Sequence, residues 1–239
     1  MRIIAHRGAS KAAPENTMAA FALAAKLGAH AIELDARVCG SGEVVVFHDR
    51  ELARLTGAAG VVAETPLAEL RKLRVAGTEP IPTLEEVLRS EARPRGVVVE
   101  IKTDHWNEVS VAGKTAELLG RTRADDRGPV VVSSFNPLAL RVLRSVASQV
   151  PRALLAEKNG ARPLRKLWFA PLVGARELHL EAAMIDAPLI ARARRAGRFV
   201  VAWTVNDAAE GARLEALGVD GLITDVPDLF SPRGAVLPG

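Results

Sequence analysis

The run Ala31-Ile32-Glu33-Leu34-Asp35-Ala36-Arg37-Val38-Cys39-Gly40-Ser41-Gly42-Glu43-Val44-Val45-Val46-Phe47-His48 decides the fold. Residues 31–37 and 44–48 both read as strands, and only residues 38–43, rich in Gly and Ser, separate them. A parallel crossover takes about a dozen residues or more. The two strands are therefore predicted to be antiparallel neighbours, a hairpin that rises from a larger sheet and turns back. Outward from it, strand patterns alternate with Ala/Leu/Arg-rich helical ones. Strands are predicted at 2–6, 97–101, 130–135, 152–156, 177–180, 199–204 and 221–224. Helices are predicted at 15–27, 67–73, 83–88, 109–119, 138–146, 164–169, 188–196 and 208–217. Repeated strand-then-helix order argues for parallel βα units. Removing the returning arm of the hairpin leaves eight parallel strands, the number of a TIM (β/α)8 barrel. An open doubly wound sheet is the alternative. Residues 1–230 read as one barrel domain, residues 51–82 as a small insertion over its mouth, and residues 231–239 as a loose tail.

The 239-residue length suits a single α/β barrel. A composition of 49% hydrophobic and 25% charged residues excludes a disordered or collagen-like chain. No apolar run reaches about 18 residues, so no transmembrane segment is expected. The first strand pattern follows Met1 directly and leaves no room for a signal peptide, so a cytoplasmic location is expected. Cys39 is the single cysteine, which forbids an internal disulfide and a thiolate metal site. The net charge of +4 comes from basic residues interleaved with Asp and Glu, not from blocks. Aromatics are 4% with no tyrosine, so base-stacking platforms are scarce and no nucleic-acid partner is expected.

In a TIM barrel the functional residues gather where strands end and the following loops begin. Glu33 and Asp35 are two apart, on one face of a strand and about 6.6 Å apart along it. Glu100 and Lys102 end another strand in the same way. Three carboxylates at one rim repel each other and need a partner. A hard divalent cation, Mg²⁺ or Ca²⁺, supplies one, because such ions prefer oxygen ligands. Glu33, Asp35 and Glu100 are thus the candidate metal ligands; the competing reading is an ion network with Arg7, Arg37 and Lys102. His6 and His48 also stand at strand ends and fit a general acid/base pair. Arg7 and Lys102 add fixed positive charge, which together with a metal makes a site for a phosphoryl group. Trp203 and Phe135 close strands at the same rim, and Trp203 is the better candidate for lining a substrate pocket. His30 reads as a surface residue, His105 as a loop residue, and His179 as a strand residue able to face the interior. Glu15 and Asn16 read as caps of the first helix. No glycine-rich phosphate loop and no Gly-x-Ser-x-Gly elbow is present, which counts against nucleoside-triphosphate and serine-hydrolase chemistry.

Taken in order, His6-Arg7-Gly8, Pro14-Glu15-Asn16-Thr17, Ile32-Glu33-Leu34-Asp35, Val45-Val46-Phe47-His48-Asp49, Ile81-Pro82-Thr83-Leu84-Glu85, Glu100-Ile101-Lys102, Ser133-Ser134-Phe135, Trp203-Thr204-Val205-Asn206 and Gly218-Val219-Asp220-Gly221-Leu222-Ile223-Thr224-Asp225 resemble the glycerophosphodiester phosphodiesterase family. The resemblance implies a TIM barrel that hydrolyses glycerophosphodiesters to glycerol 3-phosphate and an alcohol with one divalent cation, Mg²⁺ or Ca²⁺. It implies the same residues as above: Glu33, Asp35 and Glu100 on the metal, His6 and His48 as acid and base, Arg7 and Lys102 on phosphate. The chain departs from the family at Leu52-Ala53-Arg54-Leu55-Thr56, where many relatives read Leu-Asp-Arg-Thr-Thr. Its 51–82 excursion is also short beside members with a larger cap. The expected first step has His6 as base and His48 as acid. Attack on phosphorus comes either from a glycerol hydroxyl, through a cyclic phosphate, or from water. A phospholipase-type diesterase acting on lysophospholipids or releasing a cyclic phosphate is the alternative enzyme. A non-catalytic phosphodiester-binding barrel is the alternative from another class.

Overall fold

The β-branched and Leu-rich runs form β1 (Arg2–His6), β2 (Ala31–Val38), β3 (Val44–Val46), β4 (Gly96–Ile101), β5 (Val130–Ser134), β6 (Arg152–Ala156), β7 (Glu177–Glu181), β8 (Phe199–Trp203) and β9 (Gly221–Thr224) in a computed structural model that describes residues 1–122 and 128–231. Their order is β1-β9-β8-β7-β6-β5-β4-β2-β3, and a further β1–β2 pairing closes the sheet. Eight strands pair in parallel around this closed barrel. β3 alone is antiparallel, with Val38 opposite Val44. The five-residue link 39–43 is too short for a parallel crossover, and the fold is the expected TIM barrel. β3 stops two residues short of the predicted end. Phe47 N still donates to Asp35 O at 2.9 Å, but the His48 carbonyl accepts from Arg37 Nε at 2.8 Å and leaves the ladder.

The helices are α1 (Met18–Lys26), α2 (Ala53–Thr56), α3 (Leu67–Leu70), α4 (Leu84–Arg89), α5 (Ser110–Thr122), α6 (Pro137–Val146), α7 (Arg162–Arg165), α8 (Ala187–Arg195) and α9 (Ala208–Leu217). Side-chain caps start several of them, as expected for orphan N–H groups. Thr83 and Glu86 form a capping box on α4, Asn136 caps α6, and Asp186 caps α8. α1 starts three residues later than predicted. Its N-cap is Thr17, whose Oγ1 accepts from Ala20 N at 3.2 Å, so Glu15 and Asn16 do not cap it. Asn16 sits in the left-handed region (φ 59) and turns its side chain toward the barrel instead. α7 is shorter than the predicted 164–169 segment, because Leu167 takes φ 58.

Two apolar clusters fill the space between sheet and helices. A third lies inside the barrel. Ile4, Ala31, Val98, Val131, Ala153, Val201 and Ile223 come one each from seven of the eight parallel strands, with Trp203 packed against them. This aliphatic plug makes the barrel a packed core, not a pore, and confines any cavity to its mouth. Residues 51–82 pack through Leu52, Val62, Leu70, Val75 and Ile81 onto Cys39, Val45 and Phe47 of the hairpin. Ser231 is buried, and the rest of the predicted tail, 232–239, lies outside the described residues. No helix among the described residues is long and apolar enough to cross a membrane.

Candidate active site

Register brings the charged strand ends together. His6 of β1 lies beside Glu33 of β2, Asp35 of β2 beside Glu100 of β4, and Glu100 beside Ser133 of β5. Oxygens of Glu33, Asp35 and Glu100 all lie within 4.8 Å of one another. His6, Arg7, Glu33, His48, Glu100, Lys102 and Trp203 line one cavity of about 250 Å³. Asp35 lies buried beside it. Every site residue predicted from sequence is therefore at this mouth. His30 is exposed at the other end of β2 and accepts from Ile3 N at 3.0 Å, and His105 is exposed in the loop after β4.

Fixed cations partly balance the carboxylates. Lys102 Nζ is 2.7 Å from Glu100 Oε1 and 3.4 Å from Asp35 Oδ1. Arg7 Nε is 3.2 Å from Asp35 Oδ2, close enough to pair but without hydrogen-bond alignment. Arg7 N donates to Glu33 Oε2 at 3.1 Å. Arg37, the third cation considered for an ion network, turns away to Asp104 at 2.8 Å. Three carboxylates thus face two cations. Burial, then the charge of Asp35, pushes the Glu33 carboxyl well above its usual range. Burial also opposes ionisation of Asp35, but Lys102 and Arg7 outweigh it and hold that carboxyl low. Glu33 Oε1 and Asp35 Oδ1 are buried and make no hydrogen bond among the described residues. An all-oxygen cluster whose third carboxylate ionises only against burial and the charge of Asp35, with two buried oxygens lacking a hydrogen bond among the described residues, fits a hard divalent cation such as Mg²⁺ or Ca²⁺.

The backbone pays a local cost to build this corner. Arg7 has φ 55, a left-handed conformation that non-glycine residues seldom adopt outside functional sites. It allows the Arg7 N–H and guanidinium to face two carboxylates at once. Gly8 follows at φ 83, where a Cβ would stand 2.7 Å from Ala20. The residue after Arg7 can therefore only be glycine if α1 is to pack this close.

His6 and His48 are each paired with an aspartate, a support that the sequence pattern does not reveal. His6 Nδ1 is 2.6 Å from Asp225 Oδ1, and His48 Nδ1 is 2.6 Å from Asp49 Oδ1. A carboxylate on Nδ1 fixes the tautomer and leaves Nε2 for chemistry. Burial works against a charged His6 ring, yet the Asp225 bond and the Glu33 charge outweigh it and raise its pKa. At His48 burial dominates and the pKa falls, despite the opposing charge of Asp35. Asp225 also accepts from Ser10 and Asn206; burial opposes ionisation, but these bonds and that of His6 hold it at about 2.

Asn16 and Arg54 complete the support. Asn16 Nδ2 donates to Asp35 Oδ2 at 2.8 Å, and its Oδ1 accepts from Asp35 N at 3.2 Å. Arg54, kept with Leu52 and Thr56 within the departing Leu52–Thr56 stretch, pairs with both Asp49 and Glu15. Glu15 in turn holds Arg7 at 2.8 Å. The insertion thus reaches the site through one arginine, and none of residues 51–82 lines the cavity. Trp203 meets Phe135 edge-to-face at 5.7 Å.

The glycerophosphoryl diester phosphodiesterase family profile matches residues 6–229. The chain is 34% identical to a glycerophosphodiester phosphodiesterase of Caldanaerobacter subterraneus over 95% of this chain and 94% of the other. Its fold superposes on an Oleispira antarctica phosphodiesterase, solved in complex with the product sn-glycerol-3-phosphate, with a TM-score of 0.86 at 30% identity, covering 95% and 94% of the two chains. A glycerophosphodiester phosphodiesterase of Agrobacterium tumefaciens superposes with a TM-score of 0.79 at 27% identity, covering 99% and 100%.

Proposed function

Because the chain belongs to the glycerophosphoryl diester phosphodiesterase family and is an enzyme of that class, we propose that it hydrolyses small glycerophosphodiesters to glycerol 3-phosphate and an alcohol in the cavity at the barrel mouth, with one divalent cation and two histidines. The observation that carries this reading is the cluster of Glu33, Asp35 and Glu100 within 4.8 Å, in a site that two Asp-supported histidines also line. A cation held by those three carboxylates supplies Lewis acidity to the phosphodiester and lowers the pKa of a hydroxyl beside it.

The chain's own residues do the rest. Arg7 and Lys102 offer fixed charge to the phosphoryl oxygens, whose negative charge grows toward the transition state. Both are anchored by carboxylates, so little reorganisation is needed as the substrate enters. His6 Nε2 takes the proton of the glycerol hydroxyl as its oxygen bonds to phosphorus, and His48 Nε2 gives one to the alcohol oxygen as its bond to phosphorus breaks; the two then exchange roles as water opens the cyclic phosphate. Asp225 and Asp49 stabilise each imidazolium as it forms. Without a cation His6 is raised and His48 lowered, which opposes that order. The charge of Glu33 is one cause of the His6 shift, and it is the charge a bound cation neutralises. Trp203 offers its ring to the glycerol carbons, and residues 51–82 form a small insertion beside the leaving-group side. That arrangement supports firm choice of glycerol and loose choice of headgroup.

The test is incubation with glycerophosphocholine, glycerophosphoethanolamine, glycerophosphoglycerol and a lysophospholipid, each with Mg²⁺, Ca²⁺ or EDTA. Phosphorus NMR then identifies the products. Glycerol 3-phosphate from the first three, absent in EDTA, is expected. A cyclic phosphate as the final product, or turnover of the lysophospholipid alone, would replace this reading with the phospholipase-type one. Glu33→Gln, Asp35→Gln and Glu100→Gln should each abolish the cation-dependent turnover and leave the circular dichroism spectrum unchanged; full turnover in metal-stripped protein would refute the cation's role.

A further inference from the structure

His179 stands out in the barrel interior. Where seven strands contribute an aliphatic side chain to the inner plug, β7 has an imidazole, paired in register with Leu155 on one side and Val201 on the other. Its ring is wholly buried. Nε2 lies 2.9 Å from Glu177 Oε2, and Glu177 Oε1 accepts from Arg2 at 3.0 Å. An ionised carboxylate can only accept, so Nε2 carries the hydrogen, and in that tautomer Nδ1 is the acceptor. Nδ1 has no hydrogen-bond partner among the described residues. The same ring lines the cavity that holds Glu33, Glu100, His6 and His48. An aliphatic residue would fill this position without needing a buried carboxylate and an arginine to hold it. The Arg2–Glu177–His179 column therefore fixes one buried acceptor, unpartnered among the described residues, in the wall of the cavity.

We propose that His179 Nδ1 accepts a hydrogen bond from the primary hydroxyl of the substrate's glycerol unit, the one remote from the reacting phosphate, and so selects glycerol over other alcohols. This rests on the phosphodiesterase reading of the same cavity. A lone pair repels phosphate oxygens, which have Arg7 and Lys102 to go to. The secondary hydroxyl is tied to the reacting end, and the leaving alcohol varies between substrates. The primary hydroxyl is the group left that must donate. A site built to bond a hydroxyl discriminates against an analogue lacking it, because its own buried polar group is then left unpaired.

The experiment compares two substrates with the same leaving alcohol: the glycerol phosphodiester, and the propane-1,2-diol 1-phosphodiester that lacks only the primary hydroxyl. The wild type should prefer the first by about ten-fold or more in kcat/KM, the equivalent of ~1.4 kcal/mol. His179→Gln keeps an N–H for Glu177 but moves its acceptor oxygen off the Nδ1 position, and His179→Leu removes both donor and acceptor. In each variant the preference should collapse toward one. The ratio is taken within one protein sample, so partial loss of fold cancels. A wild type that treats both substrates alike, or a preference surviving both variants, overturns the proposal. A wild type that hydrolyses neither in the presence of Mg²⁺ or Ca²⁺ sinks the phosphodiesterase reading and this proposal with it.

Discussion

Asp225→Asn is the sharpest probe of the histidine chemistry. Asn keeps the size of the side chain but removes the charge that faces His6 Nδ1 at 2.6 Å. A hydrogen bond to a charged group contributes about 1.5–3 kcal/mol. The side chains of His6 and Asp225 are 22% and 29% exposed, so solvent screens part of this and the lower half of the range applies. A loss of ~1.5–2 kcal/mol from the transition state corresponds to a fall of roughly 10–30-fold in kcat. This is well short of the 10²–10⁴-fold expected for removing the base itself. The pH profile supplies an independent reading. The Asp225 bond is one of the causes that raise His6, so the variant's His6 titrates lower. Whichever limb of the kcat/KM profile belongs to His6 should move to lower pH: the acidic limb if His6 is the base, the basic limb if it is the acid. The assay is steady-state turnover of glycerophosphocholine between pH 5 and 9, followed by release of glycerol 3-phosphate. Unchanged kcat with neither limb displaced would refute the pairing's role and reduce Asp225 to a partner of Ser10 and Asn206.

His6→Ala and His48→Ala should each lower kcat by about 10²–10⁴-fold, while His30→Ala should be near neutral. With a p-nitrophenolate leaving group the His48 defect should shrink, and equal defects on good and poor leaving groups would remove His48 from the role of acid. Trp203→Ala should raise KM for glycerophosphodiesters about ten-fold, the loss of ~1.4 kcal/mol of contact, and barely change bis(p-nitrophenyl) phosphate turnover; equal losses on both would make Trp203 a core residue only. Glu177 is held low: burial opposes its ionisation, but His179 and Arg2 outweigh burial. A depressed carboxylate stabilises the fold above its unfolded pKa, about 4.3, and loses that contribution as pH falls through its folded value. Thermal melts of wild type should therefore drop more steeply below pH ~4.3 than those of Glu177→Gln, and parallel curves would contradict the assignment.

Much of the candidate site is legible in the sequence, because its signals are local. The six residues between 37 and 44 are too few for a parallel crossover, and this alone separated β3 from the eight barrel strands. Period-two spacing put Glu33 with Asp35 and Glu100 with Lys102 on shared faces. Barrel geometry sends all strand ends of one polarity to one rim, so His6 and the carboxylates had to meet there, and the returning arm of the hairpin carries His48 back to their level.

What tertiary structure alone decided is how each side chain is held. Asp225 reaches His6 across 219 positions of sequence, because β9 closes the barrel against β1; no periodicity encodes which strand ends finally touch. Asn16 looked like a cap, and only its φ of 59 turns it onto Asp35. Arg7 and Arg37 each stand near a strand end, yet one faces the carboxylates and the other pins the His48 carbonyl, a choice made by the left-handed turn at Arg7 and by the hairpin's return. Arg54 lies in the stretch that departs from the family pattern, and its reach to Asp49 and Glu15 depends on how residues 51–82 pack on the hairpin. Composition and pattern report which face of an element is buried. They carry no record of side-chain torsion or of the partner that satisfies a buried polar atom, since both are set by contacts between segments distant in the chain. His179 shows the difference most plainly: in the sequence it is one histidine in an apolar strand, and in the fold it is an imidazole with one nitrogen held by Glu177 and the other without a hydrogen-bond partner among the described residues.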